Sequence, residues 1–152
     1  MHWFDWEGLI LDLLLLAPNL VFTCRNRDGF VNLYHNKAVE CLEQIGRFGC
    51  FLFLFLTPPV ICRGVWFPHG TAVCRAVSGV LIALYLLGWV VFRKESSVRK
   101  SVALSVIPSA LFLARGVLTM SIPLMALGAV FAVCHVTISV QNALLSQKAD
   151  QQ

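Results

Sequence analysis

The chain has 152 residues, of which 58% are hydrophobic and 13% are charged, and its mean hydropathy is +0.76. Soluble domains carry about 25% charged residues, so this deficit and the long apolar runs exclude an ordinary soluble domain and indicate an integral membrane protein. The net charge of +4 does not indicate a nucleic-acid partner, because the basic residues cluster at the ends of apolar segments, where they act as topology signals.

Five apolar segments follow one another and predict a single membrane domain, an all-α integral membrane bundle of about five transmembrane helices. The predicted segments span residues 6–23, 37–62, 72–92, 101–118 and 122–140. Their lengths are near the roughly 20 residues that cross a bilayer as a helix. We expect the first segment to be retained, because no basic residue precedes it and no small-residue cleavage site follows it.

The second segment changes character halfway along. Its first half carries four polar residues within one ~100° arc of a helix, namely Glu40, Glu43, Gln44 and Arg47. Its second half, residues 48–56, is almost wholly apolar. Asn36 is a suitable N-cap and Pro58 cannot easily continue the helix, so one continuous helix is predicted from about Lys37 to Leu56. Residues 60–62 are expected to finish the crossing irregularly.

The loops predict an orientation in the cell membrane. The Arg25–Arg47 and Arg93–Lys100 stretches each hold four basic residues, whereas Arg63 is the one basic residue between Arg63 and Gly70. Basic loops face the cytoplasm. The N-terminus is therefore predicted outside and the C-terminus in the cytoplasm.

Three charged residues form an outer layer in the predicted segments: Asp12, Arg75 and Arg115. A charge at the centre of a membrane helix costs roughly 2.5–3.5 kcal/mol on insertion scales. One interpretation is that both arginines extend to the lipid headgroups. A second is a structural ion pair in which Asp12 lies within ~4 Å of Arg75 or Arg115, and a third is a substrate-binding role.

Five polar residues form an inner layer and are the candidate binding residues: Asn19, Glu40, Glu43, Arg47 and His135, with Asn142 at its edge. Glu43 and Arg47 are spaced i, i+4 and so pair along one helix. The layer is interpreted as an amphipathic surface helix with its charges in water, as a structural network between helices, or as an ion or substrate path. His135 either titrates near neutral pH or is simply hydrogen-bonded to a neighbour.

No motif predicts a catalytic residue, a metal site or a cofactor. The six cysteines include no Cys-x-x-Cys pair, and they are interpreted as small buried hydrophobes, of which Cys62 and Cys74 are the two that a single outer loop brings close. Phosphate-binding, zinc-protease and nucleophile-elbow motifs are absent from the sequence. An enzymatic role, such as lipid modification, is therefore ranked last.

Three stretches, residues 28–37, 40–50 and 131–139, resemble a group of small multi-pass membrane proteins from Clostridia and related Firmicutes. The resemblance extends over most of the chain. It implies a bacterial cytoplasmic-membrane protein without an assigned activity, and it transfers no catalytic residue.

Two functions follow from these observations as hypotheses. The first is a small transporter or channel-like protein in the lipid bilayer, as a homo-oligomer, with its path near Glu40, Glu43, Arg47 and His135. The alternative is a non-catalytic accessory subunit that docks a membrane partner protein through the basic cytoplasmic loops. A bound ion or a water-lined cavity favours the first, and a dry, tightly packed monomer with an exposed apolar flank favours the second.

Overall fold

The structure is a computed structural model that describes residues 3–25, 33–92 and 98–149. Within these ranges the chain forms five helices and no strand, which confirms the predicted all-α class. The helices are α1 (Trp6–Arg25), α2 (Lys37–Phe55), α3 (Gly70–Val91), α4 (Val98–Leu118) and α5 (Ile122–Ala149).

Helix α2 begins and ends where its local sequence predicts. The side-chain oxygen of Asn36 accepts hydrogen bonds from the backbone N–H groups of Ala38 at 3.2 Å and Val39 at 3.3 Å, so Asn36 is the N-cap. The helix ends at Phe55, shortly before Pro58 and Pro59. The predicted continuous helix is therefore confirmed to within one residue at its C-terminal end.

The end of α5 differs from the prediction. The helix continues to Ala149, whereas the predicted segment ends at residue 140. The added turns contain no Gly or Pro and include good helix formers such as Ala143, Leu144 and Gln147. Falling hydropathy marked the end of the apolar span, but the helix itself has no reason to end there.

Four helices are long and apolar enough to cross a membrane, which supports a multi-pass membrane protein. These stretches are Trp6–Cys24, Gly70–Val91, Lys100–Leu118 and Ile122–Lys148. Helix α2 has similar length but carries four charged residues, Lys37, Glu40, Glu43 and Arg47. Four candidate spans among the described residues are close to the predicted count of about five transmembrane helices. Helix α2 is the described helix that combines a charged half with an apolar half.

The helices contact one another in a closed order, α1–α2–α5–α4–α3 and back to α1. Helix α5 packs extensively against α4 and α2, and α3 packs against α4, whereas α1 contacts α2 and α3 more sparsely. All five contribute to one apolar core, which comprises Leu11, Leu15, Cys50, Leu54, Ile82, Tyr85, Leu111, Phe112, Leu124 and Phe131. Polar side chains that face this core are consequently held away from water.

Short backbone pairings connect the loops at one end of the bundle. An isolated β-bridge joins Phe4 to Leu56, and a second joins Cys62 to Ser121. The segment after α2 is thus irregular, as predicted, and it links the start of α1 to the α4–α5 turn. The Cys62 sulfur lies 3.2 Å from the Ser121 hydroxyl, and both Cys62 and Cys74 are free thiols, so the two cysteines are not joined.

Candidate functional site

The main polar site lies where α2 meets α5, and we call Glu43, Arg47 and His135 the α2–α5 cluster. The side chain of Glu43 is only 3% exposed. Its Oε1 atom accepts hydrogen bonds from Arg47, with Nε at 3.0 Å and Nη2 at 2.5 Å. Nδ1 of His135 lies 2.9 Å from the same oxygen. Two helices therefore place three nitrogen atoms around one buried carboxylate oxygen.

Close contact between the two backbones positions this cluster. A side-chain carbon built at Gly46 would lie only 2.9 Å from the backbone nitrogen of Phe131, so glycine allows the helices to approach here. His135 is one turn beyond Phe131, and its ring stacks on the Phe131 ring with centroids 4.5 Å apart. Glu43 lies nearly one turn before Gly46, which brings it to the level of His135.

The cluster extends from the helix contact towards the surface. Side-chain exposure rises from 3% at Glu43 to 24% at His135 and 38% at Arg47. Arg47 is always protonated and neutralises the carboxylate, while His135 offers its Nδ1 proton to it either as neutral imidazole or as imidazolium. The arrangement is thus able to hold an ionised carboxylate inside an apolar bundle.

The structure brings part of the predicted inner layer together and separates the rest. It brings Glu43, Arg47 and His135 together, and it places Glu40 half-buried about one turn before Glu43. Asn19 lies elsewhere: its Nδ2 donates to the Tyr85 hydroxyl at 2.9 Å, which joins α1 to α3. Tyr85 is 3% exposed, and sequence reasoning overlooked its polar role because it lies in an apolar run.

Asn142 has a structural position in the extended part of α5. Its side-chain oxygen accepts hydrogen bonds from the backbone N–H groups of Leu33 at 2.8 Å and Tyr34 at 2.9 Å. Two N–H groups that precede α2 are thereby satisfied. Asn142 thus holds the segment before α2 against α5, and it lies outside the α2–α5 cluster.

The predicted ion pair of Asp12 with Arg75 or Arg115 is wrong. Arg115 pairs with Asp5, and Arg75 Nη2 lies 2.6 Å from Glu7 Oε1. Neither oxygen of Asp12 has a hydrogen-bond partner among the described residues, although Asp12 is only 4% exposed.

Desolvation explains why the arginines pair with residues nearer the helix start. The Asp5 side chain is 27% exposed and that of Glu7 is 43% exposed, so a charge on either retains contact with solvent. A pair with Asp12 requires an ionised carboxylate in the core, and its desolvation penalty competes with the attraction. The acidic residues before and at the start of α1 were the signal that the sequence analysis did not use.

Asp5 also fixes the start of α1. Its Oδ1 atom accepts hydrogen bonds from the backbone N–H groups of Glu7 at 2.9 Å and Gly8 at 3.2 Å. Its other oxygen accepts the hydrogen bond from Arg115 Nη2. One carboxylate therefore caps α1 and connects it to α4, whose Arg115 side chain is 5% exposed.

Comparisons of the chain with protein-family models, curated proteins and solved structures found no match. Within residues 3–25, 33–92 and 98–149, no group of three or more His, Cys, Asp or Glu residues is placed to hold a metal ion. The polar sites of the bundle therefore guide the proposal of function.

Proposed function

We propose that this chain is a small membrane transport protein, and that the path of its ion or solute passes the α2–α5 cluster. The observation that carries the proposal is the buried Glu43 carboxylate, held by Arg47 and facing His135 in a bundle with four apolar spans. Ionisable groups at membrane depth are costly, and they commonly mark ion pathways and proton relays.

The side chains of the cluster differ in solvent exposure, and this difference supports the proposal. A group at the surface, Arg47, is hydrogen-bonded to a group in the interior, Glu43, and a titratable ring at intermediate exposure contacts the same oxygen. Arg47 and His135 contact the same oxygen of Glu43, and Arg47 is the more exposed of the two. In the proposed path, the Arg47 side chain moves from Glu43 towards water and opens the cluster to an ion or a polar solute.

Transport is tested most directly with purified protein in liposomes that contain a pH-sensitive dye. A potassium gradient with valinomycin sets a membrane potential for the proton measurement. Sodium and potassium flux are then recorded in separate liposomes that contain cation-sensitive dyes and no valinomycin. We expect flux above that of protein-free liposomes, and we expect Glu43→Gln to remove most of it. Glu7→Gln is the matched control, because Glu7 makes an exposed ion pair far from the cluster.

Equal flux of protons, sodium and potassium in protein-containing and protein-free liposomes would contradict the proposal. A flux that Glu43→Gln and Glu7→Gln leave equally intact would instead place the path elsewhere in the bundle. Both substitutions keep side-chain shape and remove one negative charge, so the comparison isolates the position of the carboxylate.

An accessory role is the second candidate, and one feature of α2 favours it. The exposed side of α2 is apolar and includes Leu42, Ile45, Phe48 and Leu52. This side accepts either lipid or the helix of a partner, including a second copy of the chain. The basic loops to which docking was assigned, Arg25–Arg47 and Arg93–Lys100, are described only in part, because residues 26–32 and 93–97 lie outside the described residues.

Native mass spectrometry of the protein, released from mild detergent, separates these two candidates. A stoichiometric partner protein together with absence of flux supports the accessory subunit. A monomer or homo-oligomer that conducts ions supports the transporter. Phe48→Asn tests the α2 side: it should weaken the assembly if a protein covers this side and leave it unchanged if lipid does.

We also propose the orientation that the loop charges predict, with the N-terminus outside the cytoplasmic membrane of a bacterial cell and the C-terminus inside. Single cysteines are introduced at Trp66, Phe30 and Ser97 in a chain whose native cysteines are replaced by serine or alanine. An impermeant thiol reagent added to whole cells should label the cysteine at 66 and spare the other two. Labelling at 30 or 97 from outside would reverse the topology.

A further inference from the structure

Asp12 is a buried carboxyl group without a partner. It lies in the second turn of α1, inside the apolar span Trp6–Cys24, and it is 4% exposed. Neither of its oxygen atoms has a hydrogen-bond partner among the described residues. Its neighbours along α1 include the core residues Leu11 and Leu15. An isolated carboxylate in such surroundings is strongly disfavoured relative to the neutral acid.

Among the described residues, no group on another helix forms a hydrogen bond with Asp12. The positive charge of Arg115 on α4 acts on it, but Arg115 Nη2 is hydrogen-bonded to Asp5. The thiol of Cys50 on α2 lies within electrostatic range of Asp12 and is uncharged in its ordinary form. On α3, the thiol of Cys74 interacts with Arg115.

The carboxyl groups of Asp5, which caps α1, and of Asp12, on α1, are aligned for an exchange. Asp5 and Asp12 are seven residues apart, which is close to two helical turns and about 10 Å along the axis, so both lie on one face. Arg115 binds the first and acts electrostatically on the second. The Arg115 side chain is therefore hydrogen-bonded to one acceptor, Asp5, while its charge also acts on a second acceptor in the core, Asp12, which has no hydrogen-bond partner among the described residues.

We propose that Asp12 is a proton-binding site in the bundle interior, and that its occupancy is coupled to the ion pair between Arg115 and Asp5. With the proton on Asp12, Arg115 remains on Asp5, which is the arrangement in this structure. When the Asp12 O–H bond breaks, the proton passes to water and the bonding electrons stay on the carboxylate. Arg115 then turns from Asp5 to Asp12, and the partly exposed Asp5 is compensated by water.

Proton binding at Asp12 does not depend on the proposed transport function, because a protein that moves no solute can still hold a proton. The α2–α5 cluster differs from the Asp12 site in the form of the carboxyl group that it stabilises. Its carboxylate, Glu43, is hydrogen-bonded to a permanent cation and needs no proton to remain in the bundle. One described carboxyl site is thus built for the ionised form, and another for the protonated form.

Infrared difference spectroscopy of the full chain in lipid bilayers tests this proposal without any transport assay. The carbonyl stretch of a protonated carboxylic acid is distinct from the stretches of carboxylates, and it shifts when H₂O is exchanged for D₂O. We expect this band at neutral pH in the unmodified protein and its loss in Asp12→Asn. Glu43→Gln is the matched control and should keep the band.

Absence of the band from the unmodified protein at neutral pH would overturn the proposal. So would a band that persists unchanged in Asp12→Asn. A structural fault in that variant is checked by Asp12→Glu, which restores a carboxyl group and should restore the band. Failure of the band to return in a folded Asp12→Glu protein would also count against a proton site at this position.

Asp5→Asn tests the coupling to Arg115. Asparagine caps a helix about as well as aspartate, so α1 should remain intact while Arg115 loses its charged partner. Arg115 is then free to pair with Asp12, and the protonated-acid band at neutral pH should lose more than half of its intensity. If the band is as strong in Asp5→Asn as in the unmodified protein, the exchange of Arg115 is wrong, although Asp12 can still bind a proton.

Discussion

Two buried carboxyl groups of this protein have opposite surroundings. Glu43, on α2, has Arg47 and His135 within hydrogen-bond distance of one oxygen. Asp12, on α1, is equally buried and has no hydrogen-bond partner among the described residues, because the nearby Arg115 binds Asp5. Burial alone therefore does not determine how an acidic residue is accommodated in a membrane bundle.

The difference follows from where each cation is attached. Arg47 is four residues beyond Glu43 on one helix, so the pair forms wherever that helix forms. Arg115 reaches α1 from α4 and has two acidic residues within its range, of which the more exposed one carries the lower desolvation penalty. An ion pair within one helix is thus fixed by the sequence spacing of its two residues. An ion pair between helices depends on which of several acidic residues binds the arginine at the lower desolvation cost.

Replacement of Arg115 by leucine should have the largest effect. Its side chain is 5% exposed, and removal of one partner from a buried pair typically costs about 3–5 kcal/mol. Asp5 is partly exposed, so we expect the lower end of this range. The measurement is the free energy of unfolding in mixed detergent micelles. Arg75→Leu is the control and should change little, because Arg75 and Glu7 are both well exposed. Equal losses in the two variants would contradict the assignment of Arg115 as the buried partner.

Arg47→Leu should have the next largest effect. It removes two hydrogen bonds to the Glu43 carboxylate, and hydrogen bonds to charged groups contribute about 1.5–3 kcal/mol. The half-exposed position of Arg47 favours the lower value. A double-mutant cycle with Glu43→Gln measures the pair directly, and the combined variant should lose less than the sum of the two single losses. Additive losses would mean that Arg47 is merely a surface charge.

Gly46→Ala should weaken the contact between α2 and α5. The new methyl group would lie 2.9 Å from the Phe131 backbone nitrogen, so one helix must shift, and such overpacking costs about 1–3 kcal/mol. Gly79→Ala is a matched control on α3, where nothing lies within 4 Å, and there alanine should stabilise the helix by about 0.5–1 kcal/mol. Thermal unfolding of both variants compares them. Stabilisation by both substitutions would mean that α2 and α5 are not closely packed at Gly46.

Asp12→Asn should have the smallest effect on stability. If Asp12 is held as a neutral acid, the amide replaces it with little change in shape or charge, and the loss should be about 1 kcal/mol or less. Glu43→Gln is the informative comparison, because it removes a charge that two neighbours compensate and should cost more. The two variants are measured side by side in the same micelles. A larger loss for Asp12→Asn would indicate an ionised, stabilising Asp12 and would remove the contrast between the two carboxyl groups.

Local features of the molecule could be predicted from the sequence. Charge deficit and apolar runs indicated a multi-pass membrane protein, Asn36 and Pro58 predicted the limits of α2, and the i, i+4 spacing predicted the pair of Glu43 with Arg47. Each of these depends on residues within a few positions of one another, or on hydropathy along a helix. Helix α5 extends beyond the predicted apolar segment, because hydropathy reports where the bilayer ends and helix propensity does not change there.

Only the tertiary structure decided which polar groups meet across helices. Asp5 and Arg115 are 110 residues apart, Glu43 and His135 are 92 apart, and Asn19 and Tyr85 are 66 apart. Hydropathy gives the depth of each residue but neither the rotation of its helix nor the identity of its neighbours, because apolar side chains gain similar contacts from lipid and from protein. The rotation of α1, which turns Asp12 into the core while Arg115 binds Asp5, is therefore a property of the packed bundle.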